Sequence, residues 1–87
     1  MHDEGAHAMA FESVRFDLAD GTSVAVESCD LRPVYEELWA LSSVPGAIST
    51  AALLFEEATR QPHFRHRVEL NGLQSAVLLR ALDEFRT

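Results

Sequence analysis

The sequence predicts an α+β domain in the order ββααβα: a small, mainly antiparallel three-stranded sheet with helices packed on one face. Three observations carry this. Residues 11–28 alternate apolar and polar side chains around an Asp-Gly turn. Residues 31–60 and 71–86 repeat apolar side chains at helical spacing. Between them, Phe64, Val68 and Leu70 alternate with Arg65, Arg67 and Glu69, the period of a third strand.

The register of the opening hairpin follows from parity. Val14, Phe16 and Leu18 share one side of the first strand, and Val24 and Val26 share one side of the second. A two-residue Asp20-Gly21 turn would put these two sets on opposite faces. A turn over Leu18-Ala19-Asp20-Gly21, with Gly21 left-handed as a bulge, pairs Phe16 with Val24 and Val14 with Val26. This second register gives one coherent apolar face and is the one expected.

Asp30 stands where a helix N-cap belongs, and Pro33 is tolerated in a first helical turn. Leu31, Val34, Tyr35, Leu38 and Leu41 then form an apolar stripe, with Trp39 beside it. Ser42-Ser43-Val44-Pro45-Gly46 breaks the pattern. A second helix is expected over 47–60, with Ile48, Ala51, Ala52, Phe55 and Ala58 facing inward, and Pro62 ends it. After the third strand, Asn71 and Gln74 have capping-box spacing. Leu73, Val77, Ala81 and Phe85, joined by Leu78 and Leu82, supply the apolar face of the last helix. Residues 1–10 precede any periodic pattern and are read as a mobile tail, leaving 11–87 as a single domain.

Composition narrows the function classes. Eighty-seven residues suffice for one modest core, and a chain this short buries only roughly 60–65% of its unfolded surface. The formal charge of −7 opposes the counterion release that drives binding to nucleic acid or anionic membranes. All seven cations are arginine, so no side-chain amine exists for Schiff-base chemistry. A single cysteine and the absence of a long apolar run point to a reducing, cytoplasmic setting with no membrane span. The helix–break–helix at 31–60 superficially suits DNA reading, but Glu56 and Glu57 would face phosphates, so no nucleic-acid partner is expected.

Three groups of residues compete for a functional role. Arg60, His63, Arg65 and Arg67 lie in an eight-residue stretch without an acid, the composition of an anion or phosphate site. The plainer reading has these cations neutralise Glu36, Glu37, Glu56 and Glu57. Cys29 beside Asp30 is a conceivable nucleophile with His63 or His66, but no flanking signature supports this and a packed, inert thiol is expected. The histidine spacing does not converge on a strand, so neither a metal nor any cofactor is expected. The paired acids Glu36-Glu37, Glu56-Glu57 and Asp83-Glu84 read as solvated faces.

Trp39, Leu53 and Leu79 fall off the expected core stripes and would form the apolar centre of an interface. The expected function is therefore a small, acidic, non-catalytic interaction module that binds another protein, itself included as a homodimer. An adaptor, antitoxin or immunity-type inhibitor acts in this way. The alternative is an anionic small-molecule or phosphate-binding domain built on the 60–67 patch. No motif assigns the chain to a family.

Overall fold

In the computed structural model, residues 13–59 and 67–87 are described. The first strand, β1 (Ser13–Asp17), pairs antiparallel with β2 (Ser23–Glu27), Phe16 opposite Val24 and Val14 opposite Val26. This is the register that apolar parity requires. The turn closes through a Gly21 N–H donated to the Leu18 carbonyl at 3.1 Å and a Leu18 N–H donated to the Thr22 carbonyl at 2.8 Å. Gly21 has φ +93°, the left-handed conformation that glycine adopts without a Cβ clash. Asp20 accepts from both the Thr22 N–H and the Thr22 hydroxyl, and these bonds hold its carboxyl below the usual range.

The sheet is mixed. A third strand, β3 (Arg67–Glu69), runs parallel to β1, with Phe16 opposite Val68, giving the order β2-β1-β3. The mainly antiparallel sheet expected from the sequence is thus met by one antiparallel and one parallel pair. The reason lies in the connection: a parallel neighbour requires a crossover of a dozen residues or more, and two helices intervene. Val14, Phe16, Val26 and Val68 point into the core, while Arg15, Ala25, Arg67 and Glu69 face solvent. One sheet face is therefore covered and the other is polar.

A short 3-10 turn over Ser28–Asp30 leads into α1 (Leu31–Ala40). Asp30 occupies the cap position but makes no side-chain cap bond. Its backbone is already right-handed, at φ −97° and ψ −6°, whereas a capping residue normally holds an extended conformation. Leu31, Val34 and Leu38 are buried. The chain then turns through Gly46 into α2 (Ala47–Thr59).

On α2 the structure corrects the expected inner face. Ala47, Thr50, Ala51, Leu54 and Glu57 are buried, whereas Ile48, Ala52 and Phe55 are exposed. The helix is turned by about one residue, ~100°, from the phase that the spacing favoured. Glu57, read from the sequence as part of a solvated pair, lies on the core side. Gly46 immediately precedes the helix and lies close to Leu73. It has φ +88°, a Cβ there would stand 3.0 Å from the Leu73 backbone, and its carbonyl accepts from Thr50 Oγ1 at 2.7 Å.

The last helix, α3 (Gly72–Arg86), starts with the anticipated capping box between Asn71 and Gln74. Ser75 Oγ accepts from the Ala19 N–H at 2.9 Å and donates to the Asn71 carbonyl, which ties the hairpin turn to the helix start. Val77, Leu78, Ala81 and Leu82 complete the core. Leu73, expected inside, is 59% exposed, and Phe85 packs at the margin. In the first turn it is Ser75, not Leu73, that faces inward.

Candidate protein-interaction surface

The α1–α2 hairpin has two apolar sides, and the core uses one of them. The start of α1 lies against the end of α2, where Arg32 and Tyr35 meet Phe55, Ala58 and Thr59 around a small recess. The two helices are therefore antiparallel. On the outer side, Tyr35 stands edge-on to Trp39, with centroids 6.3 Å apart and planes at 79°. It also lies tilted against Phe55 at 5.5 Å. Such edge and tilted arrangements set the positive rim of one ring against the negative face of another.

Three rings therefore run in a row across the hairpin. Trp39 and Phe55 are each 48% exposed. Ile48 and Ala52 lie on the same helical stripe as Phe55, so the apolar strip continues towards the start of α2. Arg32 and Glu36, beside the rings, are 3.9 Å apart with both side chains largely in solvent. An exposed i,i+4 pair of this kind contributes little to stability. Both groups remain available to a neighbour at small cost.

The residues expected at an interface separate in the fold. Trp39 joins the aromatic row. Leu53 is half-buried and packs against the core. Leu79 is 47% exposed, but on α3. Tyr35, which the sequence assigned to an inward stripe, is the ring partner of Trp39, and Phe55, likewise assigned inward, meets Tyr35 on its other side. The signal that could have found them is an excess: α2 carries apolar residues on more of its circumference than one core contact can cover.

Of the expected anion-binding set, Arg60, His63 and Arg65 lie outside the described residues, as do the residue 1–10 tail and His66. Arg67 is described, and its Nε donates to Asp17 Oδ2 at 2.8 Å across the outer face of the sheet. Arg15 approaches the other oxygen of Asp17 at 3.4 Å. The Arg67 hydrogen bond, followed by the charges of Arg67 and Arg15, holds the Asp17 carboxyl below its ordinary range. Arg67 does neutralise one of the chain's own acids, but on the sheet, not on the helices.

Cys29 corrects another expectation. It is exposed, not packed. The Glu27 and Asp30 carboxylates and this thiol lie within 4.8 Å of one another. Partial loss of hydration, then the neighbouring negative charge of Asp30 and Glu27, pushes the thiol pKa up. A raised pKa leaves less thiolate at neutral pH, the opposite of an activated nucleophile.

No protein-family model, curated protein or solved structure matches the chain. No helix among the described residues is long and apolar enough to cross a membrane. The fold is α+β, and its outstanding surface feature is the aromatic row.

Proposed function

We propose that this chain is a small acidic protein–protein interaction module without catalysis of its own, that it self-associates, and that its recognition surface is the outer face of the α1–α2 hairpin. The observation that carries this reading is the row Trp39–Tyr35–Phe55, continued by Ile48 on the side of the hairpin away from the core. Exposed aromatic residues clustered on one face are the composition of interface centres, where tryptophan and tyrosine are enriched. The surplus of apolar residues on α2 has no role in the core, so it costs solubility unless something covers it. The formal charge of −7 offsets that cost for the free chain. Leaving catalysis out is supported by Cys29, whose acidic neighbours disfavour the thiolate. An adaptor, antitoxin or immunity-type inhibitor works by occupation in this way, and a cytoplasmic setting suits the exposed single cysteine.

The test compares the wild type with the double variant Ile48→Ser/Phe55→Ser, by light scattering of the free chain and by capture of partners from host lysate. Both side chains are about half exposed, so the variant should stay folded, melting modestly below the wild type, while losing self-association and capture. A variant that associates and captures as the wild type does would overturn this placement of the surface.

A further inference from the structure

The aromatic face contains both a projection and a recess. Trp39 projects from α1, half exposed. One helical turn towards the start of α1, the recess is walled by Arg32, Tyr35, Phe55, Ala58 and Thr59. Tyr35 is their shared boundary, edge-on to the indole on one side and tilted against Phe55 on the other.

A projection and a recess side by side on one face are the requirement for a two-fold interface, in which residue i meets j while j meets i. With two α1 helices antiparallel and the axis crossing near Glu36, Trp39 of each copy lies over the Arg32–Tyr35 turn of the other. We infer that a second copy of this chain completes the recess, Trp39 of each protomer seating between Arg32 and Phe55 of its partner. This rests on the self-association reading and specifies how that association is made.

The chemistry of the recess favours this occupant. The Arg32 guanidinium on its wall, 3.9 Å from the Glu36 carboxylate, offers a cation to the face of an indole. Thr59 donates its hydroxyl proton to the Glu56 carbonyl, so its oxygen can accept an indole N–H. The recess is small, about 60 Å³, with room for the edge of a ring and not for a drug-sized molecule. The area is also consistent. Half-exposed Trp39, Phe55 and Ile48 present on the order of 300 Å² of apolar surface per copy, judged from the full area of such side chains. Two copies with a polar rim then bury about 1,000 Å² or slightly more, the low end of specific interfaces. A weak, reversible dimer is the expected form.

The chain contains one tryptophan, so its fluorescence reports on the proposed contact directly. Wild type, Trp39→Ser and Arg32→Glu are followed by sedimentation from micromolar to millimolar concentration. Indole emission and acrylamide quenching are read on the two chains that keep the tryptophan. The expected result is a concentration-dependent blue shift and loss of quenching in the wild type. Either substitution should weaken association by about a hundredfold, since each acts twice in a two-fold dimer. Added salt should strengthen the dimer by screening the repulsion between two chains of formal charge −7. A dimer whose Trp39 stays as quenchable as in dilute solution overturns this contact while leaving self-association intact. A chain that remains monomeric throughout overturns self-association as well. Shielding of Trp39 only on addition of a basic protein, weakened by salt, gives the face to a different partner and also overturns the inference.

Discussion

The sheet and the helical hairpin use apolar residues in opposite ways. Along β1, each inward residue is separated by one that must stay in water: Val14 and Phe16 are fully buried, and Arg15 between them is exposed. The strand has one apolar face and one possible orientation. Along α2, eight of thirteen residues are apolar: Ala47, Ile48, Ala51, Ala52, Leu53, Leu54, Phe55 and Ala58. The core takes Ala47, Ala51 and Leu54, leaving Ile48, Ala52 and Phe55 outside. A strand with no surplus is stable and functionally silent on its apolar side. A helix with a surplus leaves a second apolar face in solvent.

Two phenylalanines test that contrast most sharply. Phe16 is fully buried, and Phe55 is 48% exposed. Phe16→Ala leaves a cavity at the centre of the sheet's inner face and should cost about 3–5 kcal/mol in urea unfolding. Phe55→Ala removes one ring contact and mostly solvated surface, so about 1 kcal/mol or less is expected for the monomer. Equal losses would mean that α2 turns Phe55 into the core, and the proposed surface would go with it.

The two left-handed glycines give a smaller effect of the same design. Gly46 sits between the helices and Gly21 in the hairpin turn, at φ +88° and +93°. Alanine at Gly21 meets nothing within 4 Å, so only the backbone penalty remains, about 1 kcal/mol. Alanine at Gly46 carries the same penalty and also presses its Cβ to 3.0 Å from the Leu73 backbone, which a side-chain rotation cannot relieve. About 2–3 kcal/mol is expected from strain and overpacking together. Thermal or urea unfolding of both variants measures the difference. If Gly46→Ala costs no more than Gly21→Ala, then the approach of α3 to this turn is looser than described.

What could be read in advance follows the same division. The hairpin register was legible because a one-residue slip would have turned every valine outward. The capping box at Asn71 was legible because its bonds join residues three apart in the chain. The direction of β3 was not legible, since alternation in Val68 and Leu70 is the same whichever way a strand runs. The face of α2 was not legible either. Ile48, Ala52 and Phe55 make as good a helical stripe as Ala47, Ala51 and Leu54, and the choice rests on packing between residues far apart in the chain, the close approach of Gly46 to Leu73 among it. For the candidate surface, Trp39 stood out because it missed its own helix's stripe. Its ring partner Tyr35, and Phe55 beyond it, did not, because each fitted an inward pattern. Leu53 was misplaced by the same error of phase that hid Phe55.

The smallest expected effect lies on the polar side of the sheet, opposite the proposed interaction surface. Asp17 holds Arg67 at 2.8 Å, and Arg15 lies at 3.4 Å from its other oxygen. With its pKa held below the ordinary 3.8, the carboxylate binds protons less readily in the folded chain than in the unfolded one. The stability it contributes is therefore fully present above pH 3.8 and declines as the pH falls through the lowered folded value. Exposure to water keeps that contribution small. Asp17→Asn should be slightly less stable than the wild type at neutral pH, with the gap closing in strong acid. Arg67→Gln should show the same sign and the same convergence, because it removes the first cause of the shift. Self-association should be unchanged in both variants, since the α1–α2 face packs through the core on the other side of the sheet. Urea unfolding at neutral and acid pH, beside sedimentation at neutral pH, checks both halves. A loss of association in Asp17→Asn would place the interface on the sheet, reversing the division of labour between the two regions.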